Sequence, residues 1–270
     1  MKPAAFDYIR AEHLDEALEV LGREGGDARI LAGGQSLVAM LNMRLAKPRT
    51  LIDIMHLPEL ARIEHKGGSI MVGAGVRQAS LLEWPELGRS LQLAALALPW
   101  TGHVQTRSRG TVCGSIAHAD PSAELPLVLQ ALGGEVHLRS ANQRRCVAAK
   151  DFFAGMMATT RADDELIEAV SFPILHKRCA FREVARRHGD FAIVACAAVE
   201  TTEGVRLAVG GVADMPAARD FPRLEGSALD DAMNRFAYEL DARDDVHATA
   251  RYRRDLVRMI GRDLVREVLQ

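Results

Sequence analysis

Two short segments concentrate the residue types that let a chain hold an anionic ligand by its backbone. The first is Ala32-Gly33-Gly34-Gln35-Ser36-Leu37. The second runs Arg109-Gly110-Thr111-Val112-Cys113-Gly114-Ser115-Ile116-Ala117-His118-Ala119-Asp120-Pro121. Glycine lacks a Cβ, so its N–H can point at a phosphate without steric cost. Successive N–H groups in such turns form small anion-binding concavities. Gln35, Ser36, Thr111 and Ser115 add neutral donors beside them. A lone Gly-Gly more often marks an ordinary turn; the joint occurrence of both segments suggests two loops closing on one pyrophosphate. Neither is a common nucleotide loop. The G-x-G-x-x-G of the dinucleotide fold is absent at the first turn, and no Gly-Lys-Ser or Gly-Lys-Thr of a P-loop occurs anywhere.

The flanking sequence predicts the elements that would carry these loops. His13–Arg23 has Leu14, Ala17, Leu18 and Leu21 at helical spacing, ended by Gly25-Gly26. Ala28–Ala32 and Thr50–Ile54 are short apolar strands, and a helix spans about Leu37–Leu45. Residues 60–75 predict two strands turning at Lys66-Gly67-Gly68-Ser69. Leu81–Trp84, Leu91–Leu98 and Glu124–Leu132 predict helices. Glu135–Leu138 and Arg145–Ala148 predict a hairpin, and Leu166–Phe172 a strand closed by Pro173. Beyond a boundary near 175–177, Cys179–Ala185, Ala192–Thr201 and Val205–Val212 suggest a meander. Ala228–Leu240 and Thr249–Val268 are helical by spacing. The pattern lacks steady βαβ alternation, which predicts an α+β fold over a doubly wound sheet. We expect a two-lobed domain over 1–175 (lobes about 1–55 and 56–175) and a smaller α+β domain over 176–270.

Composition narrows the function. A net charge of −2 implies no basic face, so nucleic acid is not an expected partner. The apolar stretches Leu93–Leu98 and Ala192–Val199 fall far short of the roughly 20 residues that span a bilayer. The opening Met1–Asp7 has no charged-then-apolar signal pattern, so the expected location is the cytoplasm. The four cysteines, at 113, 146, 179 and 196, form no C-x-x-C pair, and they do not read as a zinc site or an iron–sulfur cradle. The expectation is free thiols and no metal in this chain.

Both loops resemble those of the flavoprotein (medium) subunit of molybdenum hydroxylases, the group of carbon monoxide dehydrogenase and the FAD domain of xanthine dehydrogenase. That family reads A-G-G-[QH]-S at the first loop and [TS]-[IV]-G-G-N-[IL]-A-x-A-[DS]-P at the second. Further pieces follow in family order: Leu51-Ile52-Asp53-Ile54, Val72-Gly73-Ala74-Gly75, Glu124-Leu125-Pro126, Phe152-Phe153, Arg187-His188-Gly189-Asp190-Phe191-Ala192, and the tail His247-x-x-x-x-Tyr252-Arg253-Arg254. Two positions depart. Cys113 replaces the first glycine of the family's second pair, and Ser115 replaces asparagine. Were positive φ required at 113, cysteine would strain or reshape the loop, and glycine there would hold the ligand at least as tightly.

The resemblance implies bound FAD and a two-lobed FAD-binding fold (the PCMH type). It assigns the cofactor to Leu31, Ala32, Gly33, Gly34, Gln35, Ser36 and Leu37, to Thr101, Gly110, Thr111, Gly114, Ser115 and Ala117, and to Glu124, Leu166, Ile167, Arg182 and Phe191. Glu124 would accept from the ribityl or adenosine hydroxyls, although a helix-start acid is an equally ordinary reading. Arg182 would sit near the pyrimidine edge of the ring or serve as a solvated strand arginine. Phe191 would cover one ring face or begin a core strand. Leu166 and Ile167 would touch the ring or simply fill the core, and His118 would shape its loop. No residue is assigned a catalytic role. Electrons would arrive from a small subunit with [2Fe–2S] clusters and a large molybdopterin subunit, in a dimer of heterotrimers, and leave to an external acceptor. Two alternatives stay open: a self-contained flavin oxidase or reductase, and an assembly protein of the same fold that lost FAD.

Overall fold

The computed structural model describes residues 2–270. The first lobe is built on a three-stranded parallel sheet of β1 (Asp7–Arg10), β2 (Ala28–Leu31) and β3 (Thr50–Asp53), with β3 central. Helix α1 (Leu14–Glu24) crosses from β1 to β2 and buries Leu14, Ala17, Leu18, Val20 and Leu21. His13 caps it, Nδ1 accepting the Glu16 N–H at 3.1 Å. Helix α2 (Leu37–Asn42) follows the first glycine loop. It stops short of Leu45 because Arg44 adopts φ +59 and turns the chain.

In the second lobe, β4 (Ile63–Lys66) and β5 (Ser69–Gly73) pair across Gly67 and Gly68, whose φ values are +58 and +79. Such values at both central residues suit a two-residue hairpin and favour glycine. Four short helices, α3 (Gln78–Leu82), α4 (Leu87–Ser90), α5 (Gln92–Ala97) and α6 (Val104–Arg109), lead to α7 (Val112–His118) and α8 (Glu124–Leu132). The chain continues through β6 (Glu135–Arg139), β7 (Arg144–Ala148), α9 (Ala149–Phe152), the small β8 (Phe153–Gly155) and β9 (Ala158–Thr159) pair, and β10 (Leu166–Pro173). These strands complete an antiparallel sheet in the order β4-β5-β10-β6-β7. Ile70, Val72, Val136, Leu138, Val170 and Phe172 face the core.

The second glycine segment is mostly helix, not loop. Thr111 opens α7 by accepting the Gly114 N–H on its hydroxyl at 3.0 Å. Gly114 has no room for a side chain, since a Cβ would lie 2.6 Å from Thr111 Oγ1. Cys113 therefore sits in the first helical turn. The non-glycine residues with positive φ are Arg44, Ala119 and Met157, so Cys113 carries none of the strain its departure from the family pattern suggested. It is 2% exposed, its thiol donates to Val72 O at 3.4 Å, and burial pushes that thiol up to about 12.

The C-terminal part is a four-stranded meander, β11 (Cys179–Val184), β12 (Val194–Glu200), β13 (Gly204–Gly210) and β14 (Ala217–Pro222), followed by α10 (Gly226–Glu239) and α11 (Ala250–Leu269). The last strand was not predicted. Val194, Cys196 and Ala198 face a core shared with α10 and α11, whereas Ala195, Ala197 and Val199 face the core of the first part. Small side chains on both faces let helices approach closely on each side. One of them, α8, is buried almost all round, as expected of a helix apolar on every side.

Two acids lie buried where the parts meet. Glu124 begins α8 at 5% exposure, and Glu183 on β11 is 8% exposed with neither carboxylate oxygen hydrogen-bonded. Burial pushes Glu183 up to about 8, helped by the charge of Glu124. Burial also pushes Glu124 up to about 7, opposed chiefly by its own N–H. The fold thus keeps a proton on Glu183 that the unfolded chain gives up near the ordinary carboxylate range. The folded state binds more protons through that interval, so stability falls as pH rises from about 4.5 to about 8 and is level above. We predict that Glu183→Gln removes the Glu183 share of this slope and leaves that of Glu124. Denaturant unfolding across pH 5–8 should show the variant gaining on the parent by on the order of 1 kcal/mol per pH unit. Parallel curves would place the ionised acid in a solvated setting. We also predict that Cys113→Gly destabilises by about 2 kcal/mol through lost helix propensity and lost packing. An unchanged melting temperature would restore the view that glycine suits this position.

Candidate cofactor site

The two glycine segments meet backbone to backbone. A Cβ on Gly33 would lie 2.2 Å from Arg109 O and 2.6 Å from Gly110 Cα. Gly33 is thus required first by the approach of the loops to each other. Gly34 needs glycine for a different reason, its φ of +70. The second segment is held from behind by Gln78, whose N–H donates to Gly110 O at 2.8 Å, and by Val112, whose N–H donates to Val76 O at 3.0 Å.

In front of the joined loops lies a cleft of about 1140 Å³. That exceeds the roughly 300–1,000 Å³ of ordinary small-molecule sites and suits a ligand as long as a dinucleotide. Among the described residues, the N–H groups of Gly33, Gly34, Gln35 and Ser36 donate to no protein acceptor. Gln35 folds back, its Nε2 donating to Gly33 O at 3.2 Å. Two buried side-chain atoms, Gln78 Oε1 and Thr101 Oγ1, have no hydrogen-bond partner, and both residues line the cleft. Buried polar groups are normally paired, so these free N–H groups and orphaned oxygens fit a polar ligand with anionic and hydroxyl parts. Glu124, its carboxyl pushed up to about 7 by burial, can exchange hydrogen bonds with sugar hydroxyls and carries less charge beside an anion than an ordinary carboxylate would.

Ala32, Gly33, Gly34, Gln35, Ser36, Leu37, Thr101, Gly110, Thr111, Gly114, Ser115, Ala117, Glu124, Leu166, Ile167 and Phe191 all line this cleft, and so does His118. Leu31 does not. It ends β2 with its Cδ1 3.4 Å from where a Cβ on Gly34 would stand, packing behind the turn. Arg182 is a second correction. Strand alternation turns Phe181 and Glu183 toward the first part and Arg182 the other way. Its guanidinium pairs with Glu267 at 2.7 Å and Asp263 at 3.8 Å on α11. The acid that β11 turns toward the first part is the neighbouring Glu183, close enough to feel the charge of Glu124.

Phe191 precedes β12 and is 70% exposed, which rules out the core-strand reading. Its segment is docked onto residues 100–103. His188 meets Trp100 edge-on at 4.9 Å, and a Cβ on Gly189 would lie 2.7 Å from the His103 ring. Arg253 supports the other end of this wall. Its buried guanidinium donates to Ile193 O at 2.6 Å and to Gly211 O, and pairs with Asp245. Arg161 lines the cleft while donating to Ala162 O at 2.7 Å and Glu165 O at 2.6 Å; burial lowers its pKa. Sequence reasoning missed Gln78, His103, Met157 and Arg161. The tail pattern around Arg253 was visible, but its contact with Ile193 was not.

Comparison with known proteins agrees with this geometry. The family described as "FAD binding domain in molybdopterin dehydrogenase" matches residues 4–175, and "CO dehydrogenase flavoprotein C-terminal domain" matches residues 179–268. The chain is 36% identical to the nicotine 6-hydroxylase medium subunit of Paenarthrobacter nicotinovorans, over 98% of each chain. It is 33% identical to the glyceraldehyde dehydrogenase medium chain of Sulfolobus acidocaldarius, over 99% of this chain and 100% of that one. A solved carbon monoxide dehydrogenase from Hydrogenophaga pseudoflava superposes with a TM-score of 0.93 at 29% identity, covering 100% of this chain and 99% of its counterpart. Among the described residues no helix is long and apolar enough to cross a membrane. The free backbone donors, the long cleft and these matches together place the chain in the family of FAD-binding medium subunits of molybdenum hydroxylases.

Proposed function

We propose that this chain carries electrons from [2Fe–2S] clusters of a partner subunit, through its own FAD, to an external acceptor. The single observation that carries the reading is the joined pair of glycine segments with free N–H groups at the mouth of a dinucleotide-length cleft. When bound, FAD supplies redox chemistry that links one-electron and two-electron partners. The chain's own residues position and shield it. The first loop and the Thr111–Ser115 turn hold the pyrophosphate. Thr101 and Glu124 meet the hydroxyl-bearing parts, and Leu166 and Ile167 pack against the ring. Phe191, exposed on a docked segment, covers part of the ring and limits what reaches it. The division of labour between residues 1–175 and 176–270 follows: the first part holds the cofactor, and the second braces α8 and supplies the Phe191 wall.

The acceptor class is NAD⁺, oxygen, a quinone or another carrier, and a large molybdopterin subunit selects the substrate. The assembly we propose is a dimer of heterotrimers in the cytoplasm. The spacing of the four cysteines, with no C-x-x-C pair, supports placing the clusters on another chain.

We predict that the purified chain is yellow, binds one FAD, holds no iron and turns over no substrate of the complex. Iron at cluster stoichiometry or substrate oxidation by the lone chain would falsify the subunit reading, and a colourless preparation that cannot be reconstituted would favour the assembly-protein alternative. Gly34→Val should release FAD, because a β-branched residue at φ +70 strains the loop by about 1–3 kcal/mol; full flavin content after gel filtration would refute the loop assignment. Phe191→Ala should speed reoxidation of the photoreduced protein by oxygen in stopped flow. An unchanged rate would remove Phe191 from the ring.

A further inference from the structure

The five-stranded sheet carries a second set of donors on its outer face, away from the cleft. Strand alternation puts Glu135 and His137 on that face of β6, and Cys146 stands directly opposite His137 on β7. One ligating atom from each residue, a carboxylate oxygen, an imidazole nitrogen and Cys146 Sγ, lies within 4.8 Å of the others. The nearness is a property of the ladder. Opposed side chains start about 4.5–5.5 Å apart at Cβ, and a sheet pair is a stiffer mount than a loop.

Two further observations point to a ligand. His137 Nε2 lies 3.0 Å from the hydroxyl of Ser171, a buried residue of the central strand β10 that pairs with Glu135. With the hydrogen on Nε2, the Nδ1 lone pair is left to coordinate, the arrangement in which an outer hydrogen bond fixes a metal-binding histidine. A cavity of about 440 Å³, lined in part by His137, Cys146, Met71 and Glu64, opens over the same strands, leaving space for a water ligand. Arg62, Lys66, Arg144 and Arg145 also line that cavity and oppose a cation, offset by Glu59, Glu64 and Glu168 in the same lining and by the Glu135 carboxylate within the set.

We propose that Glu135, His137 and Cys146 form a binding site for a borderline-soft divalent cation of the zinc type, with water as the fourth ligand. Thiolate and imidazole select such an ion over magnesium or calcium, which prefer oxygen-only shells. On binding, metal–sulfur, metal–nitrogen and metal–oxygen bonds form and the Cys146 thiol proton passes to solvent, with no change of oxidation state. The ion clips β7, the edge strand, to β6. This revises the expectation of no metal in the chain. The ligands lie on either side of the Ser140–Gln143 turn, and their register is what gathers them.

The proposal is independent of the FAD reading. The test is titration of the chelator-treated full chain with zinc chloride against a chromogenic chelator. We expect one equivalent bound, and affinity lowered about tenfold or more in Cys146→Ser and in His137→Asn. Cobalt(II) should give a thiolate charge-transfer band that Cys146→Ser abolishes. Zinc should also slow alkylation of Cys146, the exposed cysteine of the four. Far-UV circular dichroism and melting temperature, measured without metal, separate loss of the site from loss of fold. Zinc affinity unchanged in both variants, or no stoichiometric binding by the parent, overturns the proposal.

Discussion

The structure depends on one close approach. Gly33 lies against Arg109 O and Gly110 with no space for even a methyl group. The first of these residues belongs to the parallel-sheet lobe and the others to the antiparallel lobe, so the contact fixes both the relative placement of the lobes and the shape of the cleft floor. An alanine there would have to separate the two backbones. Everything that faces the cleft from the first loop, including the free N–H groups, is positioned through this contact. The family's glycine signature therefore serves two needs at adjacent positions: mutual approach at Gly33 and a positive φ at Gly34.

The second organising feature is α8. It is enclosed by both parts of the chain, and its first residue, Glu124, reaches the cleft. The alanine-rich face of β12 accepts it closely on one side while α11 packs on the other. The helix belongs to the first part in sequence, yet its burial is completed by the second. Removing the C-terminal part would expose apolar surface on this helix. This is why the two sequence regions make one structural unit around the cleft.

Much of this was legible in sequence because local chemistry and tertiary structure agree. Glu124–Leu132 is bounded by strong helix signals, and the structure places α8 at those residues. Gly67-Gly68 marks a hairpin whose required dihedral angles the structure adopts. Legibility failed where a tertiary partner decides. The 111–118 segment looked like a loop because its glycine and small polar residues suit loops, but Thr111 caps it into a helix. For Arg182 the resemblance left two readings open, and which side of β11 it takes is decided by its pairing with Glu267 and Asp263 on α11, a contact 81 residues or more along the chain that sequence does not show. Gln78 carried no signal, since its role depends on a carbonyl at Gly110 far along the chain.

Arg253 ties the wall beside the cleft to the last helix of the chain. It lies in α11, the last helix in the chain, yet its guanidinium holds carbonyls of Ile193 and Gly211 beside the Phe191 segment. Both glycine segments emerge early in translation, whereas this wall has its anchor only after α11 has left the ribosome. A chain lacking α11 would therefore keep both glycine segments but lose the side chain that holds the Ile193 and Gly211 carbonyls in place. The wall beside the cleft thus rests on a single arginine contributed from the far end of the sequence it braces.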